Sequence, residues 1–260
     1  MEASSVILMG FTASLCASMG TTVGSLGVLT IRHLSRRMED GLLSLAAGIM
    51  LAATFFSLLL PALDHATADY NSEMLSAFVV ALGVLLGAGT LFFIHQRTPH
   101  EHFKTGREGA SASRLSRIWL FVIAITLHNF PEGLAVGVGF AGGEITNGIS
   151  LAVGIGLQNI PEGLAVSVAL LSVGYSPMRS AMIGIASGLV EPVGGLVGAV
   201  AVSTMAAFMP WALAFAAGAM LFIISDEIIP ETHQNGNQNL ATFSLLFGFV
   251  IMMILDVALA

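Results

Sequence analysis

Two segments carry the chemistry of this chain. His128-Asn129-Phe130-Pro131-Glu132-Gly133-Leu134-Ala135-Val136 is followed, thirty positions on, by Gln158-Asn159-Ile160-Pro161-Glu162-Gly163-Leu164-Ala165-Val166. Both lie inside long apolar runs, where carboxylates, amides and an imidazole are costly and mark a functional site by default. Two carboxylates with nitrogen and amide-oxygen donors, and no thiolate, suit a divalent cation better than an organic substrate.

Successive residues of an α-helix turn by about 100°, so relative to His128 the side chain of Asn129 lies at about 100° and that of Glu132 at about 40°. Glu132 therefore sits between the other two and can share one cation with His128 and another with Asn129. Glu162 has the same relation to Gln158 and Asn159. Two such faces opposed can cradle two adjacent cations.

Pro131 lacks an amide hydrogen and frees the Leu127 carbonyl; Pro161 does the same for Leu157. Kinked, partly unsatisfied backbone is tolerated at membrane depth only beside protein, water or an ion. Gly133 and Gly163 permit close helix approach. The alternative is that these polar groups satisfy one another through interhelical hydrogen bonds, which would suit a single His or Asn. It suits two glutamates less well, because no Lys or Arg lies within the spans to balance them.

The elements that position these residues follow from composition. The 260 residues are 55% hydrophobic and 10% charged, with a mean hydropathy of +0.88, against roughly 25% charged residues in a soluble domain. Apolar runs longer than about twenty residues predict membrane-crossing helices rather than the short alternating strands of a barrel. The fold class is all-α: one polytopic transmembrane domain over residues 1–260, its fourth and fifth helices kinked at proline around a central site. The 29 glycines allow close helix packing. The single cysteine, Cys16, excludes an intramolecular disulfide framework and a multi-thiolate zinc site.

About eight spans are predicted, at Ser4 to Ile31, Leu42 to Leu63, Glu73 to Ile94, Ile118 to Phe140, Gly148 to Val173, Met178 to Met205, Met209 to Ile229 and Leu240 to Leu259. Every basic residue falls in the first, third or fifth connection, from Arg32, Arg36 and Arg37, through Arg97, Lys104, Arg107, Arg114 and Arg117, to Arg179. The positive-inside rule makes that side cytoplasmic, and puts both termini, the acidic stretch Asp64 to Glu73 and the Glu144 turn outside. Met1-Glu2 lacks the positive region of a cleaved signal peptide, so the first span is expected to be retained. Residues 95–117 read as a cytoplasmic loop carrying His95, His100, Glu101 and His102; its histidines would capture or sense metal, the alternative being a solvated loop without a metal role. The fourth and fifth spans run in opposite directions, so their polar turns can face each other at similar depth, as in transporters with sites at repeat interfaces.

On these residues the chain resembles the ZIP family of divalent-metal transporters, particularly its bacterial and GufA-like members. His128-Asn129-Phe130-Pro131-Glu132-Gly133 matches the family's fourth-span motif and Gln158-Asn159-Ile160-Pro161-Glu162-Gly163 its fifth. The resemblance implies an eight-helix transporter, commonly dimeric, with a binuclear metal centre. His128, Glu132, Gln158 and Glu162 would ligate one ion, with the Met50 thioether contributing. Asn129, Asn159 and Glu191 would hold the second, bridged by the same two glutamates. Some members have aspartate where this chain has Asn159, so the second site here carries one negative charge fewer.

Glu191 is also singled out on its own account, as an acid beside a proline among small residues in mid-span. By resemblance Asp64, at the outer end of the second span, would receive cations at an entrance; the alternative is an exposed helix-end acid with no such role. Asp226, Glu227, Glu231 and His233, at the inner end of the seventh, read as an exit relay. Asp256 has no assigned role.

The expected function is a secondary carrier that imports Zn²⁺, with Fe²⁺, Mn²⁺, Co²⁺ or Cd²⁺ as further substrates, by alternating access. The alternatives are a metal-gated channel or sensor and an intramembrane metal-dependent hydrolase. The hydrolase is disfavoured, since the His-Glu-x-x-His pattern of zinc proteases is absent, and no Walker A motif points to ATP. No enzyme activity and no resident cofactor are expected. The expected partners are the lipid bilayer, the divalent ions and a second copy in a homodimer, with no nucleic acid. Short loops and compact length point to a bacterial inner membrane.

Overall fold

The computed structural model describes residues 2–97, 100–102, 106–108, 117–140, 145–172, 174–204 and 208–259. Among them, eight helical segments lie where the apolar runs predict them. They are α1 Ala3–Leu29, α2 Arg36–Tyr70, α3 Glu73–Arg97, α4 Arg117–Gly139, α5 Ile145–Leu171, α6 Pro177–Thr204, α7 Met209–Thr232 and α8 Gln238–Ala258. All but α4 form the seven stretches that meet the length and hydropathy needed to cross a membrane, counted over the described residues. The Glu144 turn lies outside the described residues.

The helix ends show why the boundaries fall where they do. Ser35 caps α2, its hydroxyl accepting from the Met38 amide at 3.2 Å, and Asn71, at φ 52°, ends it in the left-handed conformation. α2 and α7 each widen into a π-helical turn, Thr54–Leu59 and Ile224–Ile228. Each widened turn runs directly into a segment with proline near its start, Pro61 or Pro230. Proline removes one amide and crowds the carbonyl four residues back, and a widened turn absorbs that mismatch without ending the helix. α6 instead breaks into Pro177–Gly188 and Glu191–Thr204, so Glu191 opens a helical half rather than sitting in an unbroken span. Pro131 and Pro161 remain inside continuous helix.

The connection after α3 is shorter than expected. His95 belongs to the last turn of α3 and Arg117 to the first of α4. Between them, His100–His102 pairs antiparallel with Gly106–Glu108. The side chains of His100, Glu101 and His102 lie outside the described residues.

α1 packs along α5 and α6, α2 along α8, α3 along α7, and α4 along α6, with α4 and α5 also in contact. Glycines set the closest approaches. A methyl group on Gly133 of α4 would overlap the Glu191 carbonyl, and one on Gly163 of α5 would overlap the Thr21 carbonyl of α1. α7 is lined by buried Ala212, Ala214, Ala216, Ala217 and Ala219 and sits in the core. α3 and α8 turn Phe78, Leu85, Phe243 and Phe247 outward, which is stable against lipid rather than water.

Candidate metal centre

Four helices bring their polar residues to one buried region. α4 supplies His128, Asn129 and Glu132, α5 supplies Gln158, Asn159 and Glu162, and the α6 break supplies Glu191. Glu132, Gln158, Asn159 and Glu191 have no exposed surface, and Glu162 and His128 have 7% and 8%. α1 contributes a polar stripe: Ser14, Ser18, Thr21 and Ser25 are all buried, at spacings that place them on one helical face.

The amides and Glu191 form a chain of hydrogen bonds. Gln158 Nε2 donates to Asn159 Oδ1 at 2.7 Å. Asn159 Nδ2 donates to Glu191 Oε1 and Oε2, both at 2.9 Å, and to the Ala17 carbonyl at 3.3 Å. Thr21 Oγ1 donates to Glu191 Oε1 at 3.1 Å. This part of the site adopts the mutual satisfaction that the sequence reading held as the alternative, with Thr21 as a partner that reading did not name.

Glu132 differs. It faces the Gln158 side chain, yet neither of its oxygens has a hydrogen bond of ordinary geometry, and the same holds for Gln158 Oε1 and Asn129 Nδ2. Buried polar atoms are overwhelmingly paired, so the two Glu132 oxygens, buried without such a partner, offer acceptors suited to a cation. Glu162 lies within repulsive reach of Glu132, Glu191 and Glu227, and Glu191 within reach of Glu132. Four carboxylates share this region, and the arginines among the described residues stand at helix ends or in the connections. Their charge is balanced by protons or by bound cations.

A second group adjoins the first. His128 Nε2 contacts the Glu227 carboxylate, while His95 Nε2 lies 2.6 Å from Glu227 Oε1 and His95 Nδ1 3.6 Å from Asp226 Oδ2. One ligand atom from each of His95, His128 and Glu227 falls within 4.8 Å of the others, and all three residues are buried. Two imidazoles and a carboxylate suit zinc, which takes nitrogen and oxygen ligands at about 2.0–2.2 Å. This corrects the placement of His95. It was expected in a solvated loop, but the helix continues through it and turns it into the core, because Glu227 and the Phe222 ring, 5.4 Å away edge-on, provide its surroundings. Helical spacing shows which residues share a face of one helix and is silent on meetings between helices, so the contact of His95 and Glu227 with His128 had no signal in the sequence.

Met50 is fully buried in α2. Asp64 is exposed on the last turns of α2. Asp226 is half-exposed beside His95. His233 is engaged elsewhere, Nδ1 with the Ile229 carbonyl at 2.9 Å and Nε2 with Thr242 Oγ1 at 3.3 Å, as fits a ring that ties the end of α7 to α8. Asp256, left without a role by the sequence, accepts from Ser57 at 2.6 Å and Ser150 at 2.9 Å, joining α8 to α2 and α5.

A sequence model of the family described as ZIP Zinc transporter matches residues 95–256. Similar proteins include zinc transporter GufA of Myxococcus xanthus, 46% identical over 96% of this chain and 98% of its own length. Zinc transporter ZIPB of Bordetella bronchiseptica is 48% identical over 92% of this chain and 77% of its own. Zinc transporter ZupT of Corynebacterium aurimucosum is 31% identical over 95% and 96%. With duplicated polar motifs on adjacent apolar helices and near full-length similarity to these proteins, the chain belongs to the ZIP zinc transporter family, as a GufA-like integral membrane member.

Proposed function

We propose that this protein is a secondary carrier that imports Zn²⁺ into the cytoplasm. The observation that carries this reading is Glu132, whose carboxylate lies fully buried, facing the Gln158 side chain and with no hydrogen bond of ordinary geometry on either oxygen, in a region shared with Glu162 and Glu191. Such a donor set binds a divalent cation by replacing its hydration shell with carboxylate and amide oxygens. The ZIP family and the zinc transporters GufA, ZIPB and ZupT support the same substrate.

In this reading one ion takes His128, Glu132, Gln158 and Glu162, with Met50 joining from α2, and the second takes Asn129, Asn159 and Glu191 with the two glutamates bridging. The second ion must displace the hydrogen bonds that Asn159 and Thr21 make to Glu191, so the first site fills more readily. α4 is the eighth span, both termini face outward, and the functional unit is a homodimer. The positive-inside rule puts the last turn of α3 and the end of α7 at the cytoplasmic side. His95 and Glu227 therefore stand between the duplicated motifs and the cytoplasm. An ion leaving the centre through His128 meets them as its next ligands, whereas His233 stays a structural tie. Asp64 receives ions at the outer surface, and Fe²⁺, Mn²⁺, Co²⁺ and Cd²⁺ are further substrates.

A membrane potential of 100 mV, inside negative, contributes roughly 2.3 kcal/mol per charge and roughly 4.6 kcal/mol for a divalent ion, which suffices for downhill uptake without ATP. The test is initial-rate uptake of Zn²⁺, Fe²⁺, Mn²⁺ and Cd²⁺ into liposomes under a clamped potential. A folded Glu132→Ala, Glu162→Ala double variant is run beside the parent. Saturable uptake that the double variant lacks is the expected result. Flux that does not saturate with metal would instead indicate a channel, and binding without flux a sensor.

A further inference from the structure

We infer that the cytoplasmic end of the α2/α8 pair is a binding cleft for one anionic phospholipid. The two helices are closest in mid-membrane, where a methyl group on Gly48 would overlap the Leu245 carbonyl and one on Gly248 the Leu45 carbonyl. Toward the cytoplasm they diverge. At Gly41 an added Cβ would sit 3.6 Å from both Leu240 and Ser244, in ordinary van der Waals contact. The wedge between them is an open cleft of about 470 Å³, walled by Leu42, Leu45, Leu240 and Phe247 and bordered at its mouth by Ser35, Arg37 and Met38.

The chemistry of the two ends differs in the way a phospholipid does. The walls are apolar and, at this depth, replace water with hydrocarbon, so they accept an acyl chain. The mouth is basic. Arg37 is exposed and has no carboxylate partner among the described residues. The neighbouring acids are already committed. Glu39 pairs with Arg36 at 3.3 Å, and Asp40 is fully buried, accepting from Asn235 at 3.0 Å and Asn237 at 2.9 Å. By the positive-inside rule this mouth lies at the headgroup level of the cytoplasmic leaflet, where anionic lipids attract juxtamembrane arginines. A second copy of the chain is disfavoured as occupant, because a two-fold contact across this face would bring the same arginines together.

Native mass spectrometry of the purified full chain, titrated with phosphatidylglycerol or phosphatidylcholine of matched acyl chains, tests this. The parent is expected to hold one phosphatidylglycerol in preference to phosphatidylcholine. Arg37→Gln should cut that preference roughly fivefold, and Gly41→Phe, which fills the wedge, should abolish retention of the first lipid. Gly41→Ala, which meets only ordinary contacts, should keep it, as should Arg97→Gln outside the cleft; these two hold the test open if Gly41→Phe does not fold. Equal retention of both lipids by the parent and Arg37→Gln would overturn the inference. So would displacement of phosphatidylglycerol by millimolar inorganic phosphate, which would leave a bare anion site. A dimer lost in Gly41→Phe whatever lipid is present would assign the cleft to a second copy instead.

Discussion

The side-chain amide of Asn159 donates to both carboxylate oxygens of Glu191, at 2.9 Å each, and thereby ties α5 to the break in α6. The amide turns its positive end toward the carboxylate, the place a cation would otherwise take. Asn159→Asp removes that donor and sets two carboxylates face to face. A charge-assisted hydrogen bond of this kind contributes about 2 kcal/mol. The variant should therefore melt at lower temperature than the parent without metal and show a larger upward shift with saturating Zn²⁺. A thermal-shift series with and without the ion measures both, and equal shifts in the two proteins would remove the second site from the reading.

The Glu227 carboxylate touches both imidazoles, His128 and His95. Glu227→Gln keeps its shape and removes its charge. Zn²⁺ uptake in liposomes is expected to fall roughly tenfold to a hundredfold, the scale on which metal-site partners act. Equilibrium Zn²⁺ binding at the duplicated motifs should change less than uptake does. Equal losses in binding and in flux would place Glu227 in the central site rather than on the way out of it.

Gly133 fits against the Glu191 carbonyl with no room for a methyl group, whereas a Cβ at Gly89 of α3 would meet nothing within 4 Å. Gly133→Ala is expected to cost about 1–3 kcal/mol through overpacking and to weaken Zn²⁺ binding by moving Glu191 away from Glu132. Gly89→Ala should leave both stability and binding unchanged. Chemical denaturation in detergent with a parallel Zn²⁺ titration separates the two effects.

Ligands must be deprotonated to bind metal, so under the proposed function protons and Zn²⁺ are expected to compete for Glu132 and Glu162. Falling pH supplies more of the competitor, and the sign is therefore a KM for Zn²⁺ that rises as pH drops from 8 to 5.5 at fixed membrane potential. Uptake rates at saturating metal should change less than KM. Rates that climb steadily toward acidic pH at constant free Zn²⁺ would replace competition with a proton-driven step.

Much of this protein is legible in one dimension. A membrane offers the backbone no water, so long apolar runs had to become helices, and their positions in the sequence agree with α1 to α8 to within a few residues at most ends. The duplicated Pro-Glu-Gly turns marked Glu132 and Glu162, because carboxylates at such depth are too costly to be incidental. The tertiary structure alone decided the partners. Interhelical contacts depend on crossing geometry set by single glycines such as Gly133 and Gly163, and nothing in local spacing encodes which faces meet. Hence His95 moved from an expected loop to the side of Glu227, Thr21 and Asn159 were found holding Glu191, and His233 was drawn to Thr242. The kinds of atoms at the site follow from composition and depth; which of them touch follows from packing.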